Sequence, residues 1–193
     1  MTVETTSVRD LIRSRRTIFA FKPDPVPADL VEDLLEAAIW APNHHFTEPW
    51  RFILVGEQTK RTLAESYRQI QLEKATAKDP DGAAECGEKG FQKLMSKPTI
   101  VVVSCVQDGD EQRRREDYAA TCCAMQNVQL AAWETGVGVQ WSTGALTRKA
   151  ETYQLLDIDA ETEYIIGFFY MGYAEKVPRT RRRPLDECLR RTA

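Results

Sequence analysis

The spacing of apolar residues predicts two helices near the start of the chain. The first begins after Ser7, a residue type that caps helices well, and its apolar stripe includes Val8, Leu11 and Ile12. The second covers residues 28–40, where leucine and alanine recur on one face and acidic side chains occupy the other. A proline follows two residues later and ends this helix.

Strand and helix patterns alternate through the rest of the chain. Runs of β-branched and apolar residues predict strands at 51–55, 99–106 and 163–170, and a short segment at 139–143 leads to Gly144. Helical patterns lie at 57–76, 84–94, 113–135 and 148–155, with Thr147 as the predicted cap of the last. Few strands with long helical connections predict one domain, 1–193, in which helices flank a central sheet.

The longest predicted helix, 113–135, carries small residues that allow another helix or a partner subunit to approach closely. These residues are Ala119, Ala120, Cys123, Ala124, Val128 and Ala131.

Composition narrows the classes of function. The 193 residues are 42% hydrophobic and 28% charged, as in ordinary globular domains, and the net charge of -3 argues against a general nucleic-acid binder. No apolar run reaches membrane-spanning length, and the first ten residues lack the features of a signal peptide, so a cytoplasmic protein is expected. Five cysteines without a CxxC motif indicate reduced thiols, and two adjacent histidines lack the spacing of a zinc site.

Four segments contain side chains suited to a ligand. Arg15, Arg16 and Thr17 offer two guanidinium groups and a hydroxyl, which suit a phosphate, although a solvated basic helix end explains them better when taken alone. The loop 41–50 holds both histidines. For His44, ligand contact and an ordinary proline-stiffened surface loop are equally good explanations.

Tryptophans and a glycine add further candidates. Trp40 can cover a flat ring, whereas Trp50 is better explained as a core residue. The segment 141–144 offers backbone N–H groups at a glycine, and an ordinary strand end is an equally good explanation. The tail contains Arg179, Arg181, Arg182 and Arg183, which fit a phosphate ligand or a solvated tail better than nucleic acid. No motif for acid–base or nucleophilic catalysis is present, which favours a cofactor that performs the chemistry itself.

Four sequence segments, taken together and in this order along the chain, resemble the motifs of a known family. They are IRSRRTIFAF (12–21), EAAIWAPNHHFTEPWRFILV (36–55), GVQWSTGALT (138–147) and YIIGFFYMGYA (164–174). Together they resemble the nitroreductase family of FMN-dependent enzymes, over nearly the whole chain. The resemblance implies an α+β fold with a mostly antiparallel central sheet flanked by helices. It also implies an intertwined homodimer with two FMN molecules at its interface, and the basic tail 175–193 could embrace the partner subunit.

The resemblance also implies which residues bind the cofactor. Arg15, Arg16 and Thr17 would hold the FMN phosphate and ribityl chain, and Arg182 matches a basic position that contacts phosphate in larger members. Trp40 and His44 would reach the FMN of the other subunit. The isoalloxazine would be lined by Trp141, Ser142 and Thr143, followed by Gly144. The Gly144 N–H would lie near flavin N5.

The implied activity is ping-pong hydride transfer from NADH or NADPH, through flavin N5, to a nitroaromatic or quinone-like acceptor. Because FMN carries the chemistry, no catalytic side chain and no metal are expected. Binding to nucleic acid or to a membrane is not expected either. Two residues depart from the family pattern. Phe19 replaces a basic residue that many members carry, and Glu48 replaces a glutamine. These departures keep open an alternative, a flavin-binding or regulatory module without efficient NAD(P)H turnover.

Overall fold

A computed structural model describes residues 7–192, and its elements follow the order that the sequence pattern predicts. The helices are α1 (Val8–Ser14), α2 (Ala28–Glu36), α3 (Glu57–Thr76), α4 (Ala83–Met95), α5 (Glu111–Glu134) and α6 (Ala150–Leu155). The strands are β1 (Trp50–Leu54), β2 (Thr99–Val106), β3 (Val137–Ser142) and β4 (Glu163–Tyr173). Short 3₁₀ helices lie at Ala37–Trp40, His44–Phe46, Ala145–Arg148 and Leu185–Glu187.

The four strands form one sheet in the order β1-β2-β4-β3, and every neighbouring pair is antiparallel. This confirms the predicted α+β class and the mostly antiparallel sheet. The chain that leaves α1 runs along the outer edge of β3, where the Ile18 N–H donates to the carbonyl oxygen of Val139 at 3.2 Å. The arginines that follow α1 are therefore held beside β3.

Helices cover both faces of the sheet, and the period-2 alternation of β2 divides its side chains between two cores. Val101 and Val103 pack with residues of α2 and α5 on one face. Ile100 and Val102 pack with residues of α3 and α4 on the other face. Because β2 is buried on both faces, its sequence is apolar almost throughout rather than alternating.

Several predicted boundaries differ from the structure. The second helix ends as an α-helix at Glu36 and continues as a 3₁₀ turn to Trp40. The segment predicted at 139–143 is a full strand, because β4 supplies hydrogen-bonding partners from Tyr173 to Phe168. On α5 the predicted small-residue face is divided, since Ala119 and Cys123 are exposed while their neighbours pack on the core.

The predicted cap at Thr147 is wrong. Its hydroxyl donates to the carbonyl oxygen of Gly144 at 2.9 Å, and the backbone there forms a 3₁₀ turn rather than the start of an α-helix. Helix α6 begins only after Lys149, whose side chain makes no capping hydrogen bond. Thr147 therefore stabilises the turn that follows β3. Among residues 7–192, no helix combines the length and apolar character that crossing a bilayer requires.

Candidate functional site

Four arginines line one surface cavity of about 300 Å³. Two of them directly follow α1, and two come from the tail, where β4 ends beside the same segment. The Lys22 N–H donates to the carbonyl oxygen of Tyr173 at 2.9 Å, and the Glu175 N–H donates to that of Ala20 at 3.1 Å. This pairing carries the tail back past the end of α1. The cavity is lined by Arg15, Arg16, Thr17, Phe19, Pro178, Arg179, Thr180 and Arg182.

The positive charge of this cavity is not compensated within the described chain. Among residues 7–192, no carboxylate lies within 4.0 Å of the guanidinium of Arg15, Arg16, Arg179 or Arg182. Arg16 is held instead by the carbonyl oxygens of Arg13 and Arg15, at 2.6 and 2.9 Å. Burial lowers the pKa of Arg15, and the charges of Arg182 and Arg16 lower it further. A cluster of like charges held in place without counter-ions suits an anionic ligand.

Strand β3 ends at a second group of predicted residues. Strand alternation turns Trp141 and Ser142 to opposite faces of the sheet. Trp141 packs against the core that contains α5, and no described residue accepts a hydrogen bond from its buried indole N–H. Ser142 lies on the other face, beside a cavity, and Thr143 is exposed. The structure therefore separates Trp141 from Ser142 within one protomer.

Gly144 is exposed and has an ordinary backbone conformation, with φ −67°. A Cβ at this position would meet only the Ser142 hydroxyl, at 3.5 Å. Its carbonyl oxygen accepts hydrogen bonds from Thr147, whereas no described residue accepts one from its N–H. The N–H is thus available to a ligand at an open surface.

Sequence reasoning missed a second cavity, of about 60 Å³, on the α3/α4 face of β3. Lys97, in the short connection between α4 and β2, is buried beside it, and Lys93 lies at its exposed end. Burial lowers the pKa of Lys97, and the charge of Lys93 lowers it further. Burial also raises the pKa of Tyr170 to about 12. No spacing or motif in the sequence indicates that a lysine between a helix and a strand faces Ser142 and Gly144.

The histidine loop is fixed to the N-terminal part of α5. His44 Nδ1 lies 2.8 Å from a carboxylate oxygen of Glu116, and the Thr47 hydroxyl donates to the buried Asp117. His45 stacks on His44, with ring centroids 3.8 Å apart. The backbone here is strained, since His45, Phe46 and Glu48 all have positive φ angles. A loop held in such a conformation is preorganised to present its side chains.

Aromatic side chains of this segment divide between the surface and the core. Trp40 is 80% exposed and Phe46 is 90% exposed, whereas Trp50 is 6% exposed and belongs to the core, as expected. The Glu48 side chain is exposed, and its N–H donates to the side-chain oxygen of Asn43 at 2.8 Å. Glu48 therefore lies apart from the arginine cavity.

Within one protomer, the histidine loop and the arginine cavity lie far apart along α5. His44 contacts this helix at Glu116, whereas the Arg15 guanidinium donates to the Gln129 side chain at 3.4 Å. Thirteen residues of helix separate those two positions, which corresponds to about 20 Å. His44 therefore lies apart from the arginine cavity of the same chain.

Comparison with known proteins identifies the family to which the chain belongs. The sequence profile of the Nitroreductase family matches residues 12–173, so the chain belongs to that family.

Two curated relatives carry related names. The chain is 36% identical over 177 residues to the putative NAD(P)H nitroreductase YfhC of Bacillus subtilis, covering 91% of this chain and 89% of that protein. It is 27% identical over 168 residues to the putative NAD(P)H nitroreductase YdjA of Escherichia coli, covering 84% of this chain and 86% of that protein.

Solved structures show the same architecture. A nitroreductase-like family protein from Bacillus cereus superposes with a TM-score of 0.84 at 32% identity, covering 100% of this chain and 99% of that one. A structure from Desulfovibrio desulfuricans, described as a putative nitroreductase in complex with FMN, superposes with a TM-score of 0.72 at 24% identity. The match covers 97% of this chain and 98% of that one.

Proposed function

We propose that this protein is an FMN-dependent oxidoreductase that takes hydride from NADH or NADPH and delivers it to a nitroaromatic or quinone-like acceptor. The observation that carries the proposal is the cavity in which four arginines converge without a carboxylate partner among residues 7–192. The relatives from Bacillus subtilis and Escherichia coli, both named putative NAD(P)H nitroreductases, support the electron donor. The FMN in the Desulfovibrio desulfuricans structure supports the cofactor.

The chemistry of the arginine cavity fits the phosphate of FMN. Arg15 and Arg16 offer paired donors from one side, and Arg179 and Arg182 offer charge from the tail on the other side. Thr17 adds a neutral hydroxyl. Many family members carry a basic residue where this chain has Phe19, and the tail arginines would supply that charge instead. A phosphate dianion would relieve the repulsion among these guanidinium groups, so binding and local order would be coupled.

The end of β3 fits the isoalloxazine ring. Bound FMN supplies the redox chemistry, accepting and donating hydride at N5. The Gly144 N–H is free to donate to the ring, and the absence of a Cβ lets the ring approach the backbone closely. The Ser142 hydroxyl lies next to it. These groups position the ring and tune its electron affinity, and no side chain is required as a general acid.

The proposed assembly is a homodimer in which each histidine loop completes the partner's site. Two observations support it. His44 lies about 20 Å along α5 from the arginine cavity of its own chain, so it does not line that cavity. Apolar side chains are also exposed on α1 and on the loop: Ile12 on α1 is 53% exposed, and Phe46 on the loop is 90% exposed. Such surfaces on a folded chain mark contacts with other molecules.

A titration of the purified protein with FMN, followed by anaerobic addition of NADH and of NADPH, tests the proposal. The expected result is a yellow complex whose flavin absorbance is bleached by at least one nucleotide and restored by a nitroaromatic or quinone. A protein that stays colourless with excess FMN would disprove the proposal. Tight FMN binding without bleaching by either nucleotide would instead favour the flavin-binding module without turnover.

A further inference from the structure

His44, His45 and Glu116 form a cluster of side chains that can ligate a metal ion. His44 Nδ1 lies 2.8 Å from a carboxylate oxygen of Glu116, and His45 Nε2 lies 4.0 Å from the same oxygen. The ligand atoms of all three side chains lie within 4.8 Å of one another, which is true of no other such group among residues 7–192. The sequence did not indicate this cluster, because Glu116 lies 72 residues beyond His44.

The backbone of the histidine loop turns both imidazoles to the same side. Neighbouring side chains of an extended chain point to opposite sides, but His45 and Phe46 have φ angles of 66° and 53°. Histidine adopts this left-handed conformation more readily than most residues. The two imidazole rings are stacked, with centroids 3.8 Å apart and planes inclined by 28°. Two adjacent residues thereby present ring nitrogens to one carboxylate.

Glu116 is held so that one carboxylate oxygen faces the histidines. The side-chain amide of Gln112, one helical turn earlier on α5, donates to its other oxygen at 2.9 Å. Hydrogen bonds from Gln112 and from His44 lower the pKa of Glu116, so this side chain is ionised at neutral pH. No lysine or arginine of residues 7–192 lies within 4.0 Å of the carboxylate. An outer amide that orients a ligating carboxylate is a regular feature of metal sites.

Other contacts hold the loop beside α5 without using an imidazole. The Thr47 hydroxyl donates to the buried Asp117, the residue next to Glu116. The side-chain oxygen of Asn43 accepts a hydrogen bond from the Glu48 N–H at 2.8 Å. The loop is therefore placed before any ion binds, which reduces the entropic cost of bringing the ligands together.

We propose that His44, His45 and Glu116 bind a Zn²⁺ ion that ties the histidine loop to α5. Two imidazole nitrogens and one carboxylate oxygen are a ligand set that Zn²⁺ uses in proteins, with water in the fourth position. Ligand atoms about 2.1 Å from a tetrahedral ion lie about 3.4 Å apart. The observed 2.8 and 4.0 Å lie on either side of this spacing, and the two imidazoles are 65% and 48% exposed, so they are free to make the small rotation required.

The test is a calorimetric titration of the full chain, as purified and without a polyhistidine tag, with ZnCl₂. The chain contains no other histidine, so the background from imidazole is low. Wild type should bind one Zn²⁺ per chain. Glu116→Gln and His45→Asn each remove one ligand, and asparagine tolerates the positive φ of position 45. Each should weaken Zn²⁺ binding by about tenfold or more.

The matched control is Glu134→Gln, an exposed acid near the other end of α5, which should bind Zn²⁺ as wild type does. Melting curves give a second measurement. Added Zn²⁺ should raise the melting temperature of wild type and of Glu134→Gln, and should have little effect on Glu116→Gln and His45→Asn. If one of these two variants fails to melt cooperatively without Zn²⁺, the other decides.

Wild type that binds no Zn²⁺ would overturn the proposal. Unchanged Zn²⁺ affinity in either folded variant would also overturn it, and would point instead to the exposed thiols of Cys86, Cys123 and Cys188. The titration uses no added FMN or nucleotide. Its outcome is therefore independent of the flavin titration, and failure of the proposed function would leave the Zn²⁺ site to stand or fall by itself.

Discussion

Replacing Arg15 with Gln tests whether the arginine cavity binds the FMN phosphate. The substitution keeps most of the side-chain length and a hydrogen-bonding end, but removes the charge. Arg15 is half-buried between Gln129 and the other guanidinium groups, so its bond to a phosphate would be only partly screened by solvent. A hydrogen bond to a charged group contributes about 1.5–3 kcal/mol. Taking the lower half of that range for a half-exposed site, FMN affinity should fall by about 10–50-fold.

The same substitution should have the opposite effect on the protein without FMN. Burial, Arg182 and Arg16 all lower the pKa of Arg15. A cation whose pKa is lower in the folded than in the unfolded chain destabilises the fold at every pH below that folded pKa, which includes neutral pH. The neutral variant should therefore unfold at the same temperature as wild type or a higher one, and should gain less stability when FMN is added.

Two titrations separate phosphate binding from general damage. Quenching of flavin fluorescence gives Kd for FMN and for riboflavin, which lacks the phosphate. Arg15→Gln should weaken FMN and leave riboflavin nearly unchanged, and added salt should shrink the difference between variant and wild type. Arg13→Gln, at an exposed position on α1, is the matched control. Equal losses for both flavins, or no loss for FMN, would refute phosphate binding by this cavity.

Three further predictions address the loop, the sheet and the assembly. His44→Ala should weaken FMN binding several-fold at unchanged melting temperature, whereas His45→Asn should leave the FMN affinity unchanged. Equal FMN affinities for the two variants would count against contact between the loop and the partner's site. Gly167→Ala should destabilise the protein by about 1–3 kcal/mol in denaturant unfolding, because its Cβ would lie 2.7 Å from the indole Cδ1. Gly109→Ala meets nothing within 4 Å and should cause no comparable loss, so similar losses would contradict the steric argument. Ile12→Asp should shift sedimentation from dimer to monomer, and a wild-type protein that sediments as a monomer would remove the proposed assembly.

Local pattern was sufficient for most elements of the fold. β2 and β4 were predicted from short runs of β-branched, aromatic and other apolar residues, which are typical of strands buried on both faces. β3 was predicted less completely. Its six residues include a glycine and two polar side chains, and they form a strand because β4 pairs with them. The Thr147 cap failed for a related reason, since the nearby Gly144 carbonyl competes for its hydroxyl.

Ordered motifs identified the family, which the profile match to residues 12–173 confirms. They did not show how the tail contributes, because residues 15–17 and 178–182 are distant in sequence and meet only through the pairing of the β4 end with the chain after α1. The roles of the individual site residues remain predictions that the experiments above test.

The sequence by itself determined the elements, the family and the candidate residues of the cofactor site, because these depend on residue type and short spacing. Tertiary structure alone decided how those residues are grouped. It placed four like charges around one cavity and buried Lys97 beside the end of β3. It also held His44 on α5 about 20 Å along the helix from the arginine cavity of the same chain. Long-range packing sets such distances, and no local pattern encodes them.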